Sequence, residues 1–116
     1  MKRQRAERGG RRAESIAALW LRLKGWHILA RRARTPVGEV DLIARRGRTL
    51  AFVEVKARAS VGEAEFSLDD YRLRRVAAAA EALAPRYARA GDDLRIDAIF
   101  IVPRRLPRHV ANVWRG

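Results

Sequence analysis

Three carboxylates and one lysine in the middle of the chain have the types and spacing to hold a cation: Glu39, Asp41, Glu54 and Lys56. The chain has 116 residues, with 26 basic and 13 acidic side chains, yet between Ser15 and Val53 only Glu39 and Asp41 are acidic. Both lie in "GEVDLIARR", an apolar run that reads as a strand; Glu54 and Lys56 follow on the next run, "TLAFVEVKAR". Side chains alternate along a strand, which puts Glu39 and Asp41 on one face with Ile43. Phe52, Glu54 and Lys56 share a face of the next strand, and Val53 and Val55 point the other way into the core. Arg46-Gly47-Arg48 between the two runs is a hairpin signal. A Gly47-Arg48 loop pairs Arg46 with Thr49, and then Asp41 stands opposite Glu54 and Glu39 opposite Lys56. An Arg46-Gly47 loop sets Asp41 opposite Phe52, with Glu54 on the diagonal. Either register brings the carboxylates together. Like charges directly opposed destabilise a sheet, and a divalent cation removes that penalty. Mg²⁺ takes oxygen ligands, typically one or two carboxylates with waters and substrate phosphates, and it polarises phosphoryl oxygens. Lys56, a compact charge beside them, can hold an attacking water or charge growing on a phosphate. Only Lys2, Lys24 and Lys56 are lysines, so arginine serves almost everywhere else. The structural alternative stays open on spacing alone: a Glu39–Lys56 cross-strand ion pair, with Asp41 and Glu54 paired to arginines.

The elements that must position these groups are visible as periodicity. A first helix is expected from about Arg11 to Lys24, with Ala13, Ala17, Ala18, Trp20 and Leu21 as its apolar stripe and Gly25 as its C-terminal stop. On that helix Glu14 falls within the arc of Ala17, Ala18 and Leu21, facing the core side, while Arg12, Ser15 and Arg22 face away. "WHILARRAR" is expected as strand one, the hairpin supplies strands two and three, and a loop covers about Ala59 to Phe66. Ser67 with Asp70 resembles a capping box opening a second helix, whose buried face is Leu73, Val76, Ala77, Ala80, Leu83 and Ala84. Pro85 is expected to end or kink it. "DLRIDAIFIV" reads as an interior strand and "HVANVWR" as a last one, with Pro103 and Pro107 bracketing the turn between. The order α-β-β-β-α-β-β implies a mixed sheet flanked by helices.

Composition bounds the rest. One domain over residues 11–116 follows from the length, preceded by a basic arm over residues 1–10 that is expected to be mobile. The net charge of +13 favours a polyanionic partner: DNA, RNA, ribosome or anionic membrane. With no cysteine, disulfides and cysteine–zinc sites are excluded. His27 and His109 are isolated and read as strand or surface residues rather than metal ligands. The start lacks the apolar stretch of a secretion signal and no apolar run reaches the ~20 residues that span a bilayer, so a cytoplasmic protein is expected. No strongly amphipathic basic helix with bulky anchors argues for a membrane-surface role.

Asp41, then twelve residues, then Glu54-Val55-Lys56 resembles the PD-(D/E)XK nuclease superfamily. More closely, the chain resembles the YraN family of uncharacterised bacterial proteins, itself similar to the archaeal Holliday-junction resolvases. Glu14 and Ala17, Gly25, "GEVDLIA", "FVEVKAR", the basic stretch Arg72 to Arg75 and "RIDAIFI" carry the resemblance, over about Gly10 to Val102. It implies a restriction-endonuclease-like α/β fold and a Mg²⁺ site, with Mn²⁺ as the alternative ion. Asp41 and Glu54 would be ligands, the Val55 carbonyl a third, Glu14 would approach from the first helix, and Lys56 would be the catalytic lysine. Val40 stands where the superfamily has proline. Arg72 stands where the family has lysine, a change that preserves a phosphate contact but not proton transfer. The resemblance further implies nucleic-acid contacts from Arg31, Arg32, Arg34, Arg58, Arg72 and Arg75, a structural Arg95–Asp97 pair, and a supporting place for Glu39 as outer ligand or partner of Lys56. The leading expectation is a Mg²⁺-dependent endonuclease on structured or branched DNA, acting as a homodimer with no small-molecule cofactor. The arginine clusters at 31–34, 45–48, 72–75 and 104–108 would grip phosphates without reading sequence. The alternative is a DNA-, RNA- or ribosome-binding module that keeps the fold without cutting.

Overall fold

A computed structural model describes residues 2–65 and 69–114; for residues 2–9 and Glu65 it describes the backbone. The elements in order are α1 (Lys2–Leu23), β1 (His27–Thr35), β2 (Gly38–Arg46), β3 (Thr49–Ala57), α2 (Val61–Glu65), α3 (Asp70–Tyr87), β4 (Asp93–Ile101) and β5 (Arg108–Val110). The five strands form one sheet in the order β1-β2-β3-β4-β5. The first three are antiparallel, β4 lies parallel to β3, and β5 returns antiparallel. Parallel neighbours need a crossover, and α3 supplies it. This is the mixed α/β architecture expected from the sequence, with the short α2 added where a loop was expected.

Each helix covers one face. Ala17, Ala18 and Leu21 of α1 pack with Trp26, Leu42, Ala44, Ala51, Val53 and Ile99. Leu73, Val76, Ala79, Ala80 and Leu83 of α3 pack with Val40, Ile43, Leu50, Phe52 and Ile96 on the other side. α1 begins at Lys2 rather than Arg11. It ends as expected: Gly25 takes φ 90°, and the Trp26 N–H reaches back to the Leu21 carbonyl at 2.9 Å, a closing turn that suits glycine. Ser67 lies outside the described residues; Asp69 caps α3 instead, accepting from the Arg72 N–H at 2.8 Å. Pro85 does not stop α3, which runs on to Tyr87. A proline that near the end removes only one of the last helical hydrogen bonds. Asn112, at φ 57°, breaks the extended run, so β5 covers only Arg108–Val110.

The hairpin register is the Gly47-Arg48 one: Arg46 pairs with Thr49 and Leu42 with Val53. There the β2–β3 ladder ends, so the Asp41–Glu54 and Glu39–Lys56 pairings expected beyond it do not form. Strict alternation in β2 also fails. Val40 and Ile43 both face α3 while Leu42 faces α1, so the pleat slips at Asp41. The same slip occurs across the ladder in β1, where Ala30 and Ala33 both pack on the α3 side. The β1–β2 register steps from Arg31↔Leu42 to Ala33↔Val40, and the skipped rung is Arg32/Asp41. Arg32 sits there at φ 52°, a left-handed conformation that is uncommon outside glycine.

Gly38, at the head of β2, is required by close packing. A Cβ there would come within 2.7 Å of the Arg75 carbonyl oxygen of α3. Arg45, buried on β2, makes a bidentate ion pair with Asp92 (2.7 and 2.8 Å) and donates to the Tyr87 carbonyl, tying β2 to the α3–β4 connection. This guanidinium is committed inside the fold, so the cluster 45–48 loses one of its expected phosphate contacts. The Arg45 guanidinium holds the Asp92 carboxyl down at about 2.

Candidate metal and nucleic-acid site

Where β2 and β3 part, a cleft opens between the start of α1's buried face and the start of α3. It has a volume of about 540 Å³, and Glu14, Asp41, Glu54, Val55, Lys56 and Arg72 line it, as do Gly10, Ala13, Ala57 and Arg58. Asp41, Glu54 and Lys56 therefore meet at the open end of the hairpin rather than on a continuous ladder face. Glu14 reaches them from α1, 7% exposed, on the core side as its helical position requires.

Each carboxylate has a protein partner. The Asp41 carboxylate accepts from the Val55 N–H at 2.7 Å, taking the place of the missing ladder bond. Glu54 pairs with Lys56 at 2.7 Å, and Glu14 accepts from the Arg32 guanidinium at 2.7 Å. As the side chains stand, no three His, Cys, Asp or Glu groups among the described residues converge as a metal cage. Lys56 is 3% exposed, an unusual depth for a lysine. Burial, then the charge of Glu54, push the Asp41 carboxyl up to about 7; the Val55 N–H opposes this, Glu14 adds to it and Lys56 relieves it. Asp41 is thus the carboxylate of the three without a salt-bridge partner of its own, crowded by the charge of Glu54. An all-oxygen donor set of two adjacent carboxylates fits Mg²⁺, which needs few protein ligands.

The other expected residues divide. Arg58 and Arg72 line the cleft. Arg32 is engaged with Glu14 and becomes part of the site's framework. Arg31 donates to the Ser15 hydroxyl at 2.9 Å and Arg34 pairs with Glu39 at 3.5 Å, both largely exposed. Glu39 therefore faces β1 and is not the partner of Lys56. Arg75 is exposed on α3 while its carbonyl abuts Gly38. Asp97, fully buried, lies apart from the cleft. It binds Arg95 (2.8 Å), His109 (2.7 Å) and the Asn112 N–H (2.9 Å). Burial works to raise its carboxyl, but these three partners overcome it and hold it at about 2. The Arg95–Asp97 pair thus forms away from the cleft, and His109, edge-on to Trp26, joins it. His27 is exposed on β1. Sequence reasoning missed the Arg32–Glu14 bond, for which periodicity holds no signal.

The sheet order, the crossover and the carboxylate-lined cleft at the parting of β2 and β3 define a restriction-endonuclease-like fold. A solved structure of Archaeoglobus fulgidus Hjc, a Holliday junction resolvase from an archaeal hyperthermophile, is similar to it. That structure matches at a TM-score of 0.64 and 20% identity, over 86% of this chain and 73% of that one. The chain belongs to the uncharacterised protein family UPF0102, whose model matches residues 13–101. A UPF0102 protein of Sphingopyxis alaskensis is 62% identical over 115 residues, covering 99% of each chain. Another, from Erythrobacter litoralis, is 59% identical with the same coverage. Among the described residues no helix is long and apolar enough to cross a membrane.

Proposed function

We propose that this protein is a divalent-metal-dependent endonuclease that cuts structured or branched DNA. The observation that carries the reading is the cleft in which Asp41, raised to about 7 by burial and by Glu54, stands with Glu54, Glu14 and Lys56. Asp41 and Glu54 would hold Mg²⁺, or Mn²⁺, with the Val55 carbonyl and Glu14 as further oxygens. The ion would supply Lewis-acid stabilisation of the phosphoryl group and acidify a water. Lys56, freed from Glu54 as that carboxylate turns to the ion, would donate to the attacking water or to the phosphate. The water oxygen would form the new P–O bond and give up its proton to solvent as the ester P–O bond breaks in line, the leaving oxygen taking a proton from solvent in turn. Arg58 and Arg72 would receive the flanking phosphates, with the exposed Arg31, Arg34 and Arg75 extending the basic surface. The residue 1–10 segment would add a basic arm. Paired cuts at a branch would call for two copies of the site, hence a homodimer, and a protein that acts on DNA would work in the cytoplasm.

A second reading is a module that binds DNA, RNA or the ribosome without cutting. It is favoured by the Arg32–Glu14 and Lys56–Glu54 pairs, which already satisfy two of the three carboxylates. The test is incubation of the purified protein with branched, flap, single-stranded and duplex DNA and with RNA, in Mg²⁺ or Mn²⁺, beside Asp41→Ala and Lys56→Ala. Cleavage of branched or flap DNA by wild type alone is expected. Identical behaviour of all three proteins on every substrate sinks the nuclease reading and leaves binding.

A further inference from the structure

A second cavity, of about 500 Å³, opens between α2, the end of β4 and the turn that follows it. Its floor is apolar: Val61 and Ala64 of α2 with Phe100 and Val102. Leu106, Arg104 and Arg105 rise at its edge. Leu106 is 77% exposed, so its side chain is open to a ligand at the rim. The turn that presents it is fixed by structure rather than by chance. Pro103 and Pro107 restrict the backbone on either side, Arg104 takes φ 65°, and the Arg105 N–H closes onto the Val102 carbonyl. The volume lies in the range of about 300–1,000 Å³ typical of small-ligand sites.

Its position relates it to the cleft. Phe100 is the β4 residue paired with Lys56, and adjacent strands are ~4.8 Å apart. The floor therefore begins one strand away from the lysine, within reach of a nucleotide adjoining one held in the cleft. The rim is cationic and the floor apolar. A stacked duplex presents phosphates and cannot use the floor. An unstacked nucleotide offers both the flat face of a base, which suits an apolar floor, and a phosphate.

We propose that this cavity receives the unstacked base of the nucleotide next to the one in the cleft, with Arg104 and Arg105 on its phosphate and Leu106 closing over the base. The proposal rests on the reading that the cleft holds nucleic acid, and it supplies the selection for structure. Drawing a base out of an intact duplex costs a few kcal/mol, and much less at a branch, flap or single strand. DNA whose bases are already loose would enter; paired DNA would not.

The test uses flap, branched and duplex oligonucleotides carrying 2-aminopurine beside the junction, a base analogue that brightens when it unstacks. The full chain is kept in EDTA so that binding is read without cleavage. Wild type is expected to brighten the flap and branched probes several-fold at saturation and leave the duplex unchanged. Leu106→Asp should abolish most of the brightening while duplex affinity stays within a few-fold; the double variant Arg104→Ala/Arg105→Ala should abolish it too, with a weaker hold on every DNA. Circular dichroism checks that they fold. No brightening by wild type on a probe it binds overturns the proposal, as does full brightening by Leu106→Asp. A dimer that Leu106→Asp turns into a monomer, seen by light scattering, also overturns it, because the face would then be a contact between copies. A variant-sensitive brightening in a protein that never cuts with Mg²⁺ leaves the pocket standing and removes the nuclease reading instead.

Discussion

Replacing Asp41 by asparagine should stabilise the metal-free protein, although Asp41 lies at the centre of the candidate site. The side chain accepts from the Val55 N–H at 2.7 Å, and an asparagine carbonyl can accept the same bond. What the substitution removes is charge. Folding lifts this carboxyl from 3.8 to about 7, a little over three pH units, each equivalent to about 1.4 kcal/mol. The sign follows from proton binding. Between about pH 4 and pH 7 the folded chain keeps a proton that the unfolded chain has released, so rising pH favours unfolding. Below pH 4 both states are protonated and the difference disappears. Above pH 7 both are ionised and the full cost applies, with an upper bound of about 4 kcal/mol. Asp92 and Asp97, held at about 2, stay charged through this window and do not confuse the measurement. The assay is urea unfolding of wild type and Asp41→Asn in EDTA at pH 5 and pH 8. The advantage of Asp41→Asn should grow by about 2–3 kcal/mol between the two. Added Mg²⁺ should stabilise wild type at pH 8 and leave Asp41→Asn unmoved. A stability difference that stays constant with pH would refute the account, since the crowding at Asp41 would then carry no energetic weight.

Three further outcomes follow from the framework around the cleft. Arg32→Gly should be more stable than Arg32→Ala by about 1 kcal/mol in thermal unfolding, because both lose the Glu14 pair but only glycine takes φ 52° without cost. Gly38→Ala should cost about 1–3 kcal/mol by the same measurement, since its Cβ would meet the Arg75 carbonyl at 2.7 Å and one backbone must move. Asp97→Asn should cost about 3–5 kcal/mol, because it leaves Arg95 beside a neutral group in a buried network. Its cleavage per folded molecule, measured well below the unfolding temperature, should nevertheless match wild type.

Much of the architecture could be read from the sequence because it depends on local rules. Helical spacing turned Glu14 inward, Gly25 marked the stop of α1, and Arg46-Gly47-Arg48 marked the hairpin while leaving two registers open, of which the chain takes the Gly47-Arg48 one. The departures arise where one strand answers to another. Alternation assumes a continuous pleat, and the pleat slips at Asp41 because Arg32, its neighbour across the β1–β2 ladder, is left-handed. Glu39 goes to Arg34 rather than Lys56 for the same reason: beyond Leu42 the strands no longer stand opposite each other. α2 is a five-residue helix too short for helical periodicity to show. Arg45 is one of 26 basic residues, and nothing in its type separates the one buried on Asp92 from those that face solvent.

The skipped rung between Arg32 and Asp41 is where fold and candidate chemistry meet. A regular hairpin with the same sequence would place Asp41 against Glu54 on a flat face, with the repulsion unrelieved and no cavity for a ligand. The slip ends the ladder one residue earlier, lets Asp41 take the Val55 N–H itself, and opens the cleft between α1 and α3. Its cost is the left-handed backbone at Arg32, of order 1–2 kcal/mol for a residue with a Cβ. The Arg32–Glu14 bond offsets part of that cost, and it ties α1 to the site. Strain at a single residue, fixed by an ion pair to the nearest helix, thus converts two ordinary strands into a pocket whose negative charge exceeds what its own lysine neutralises.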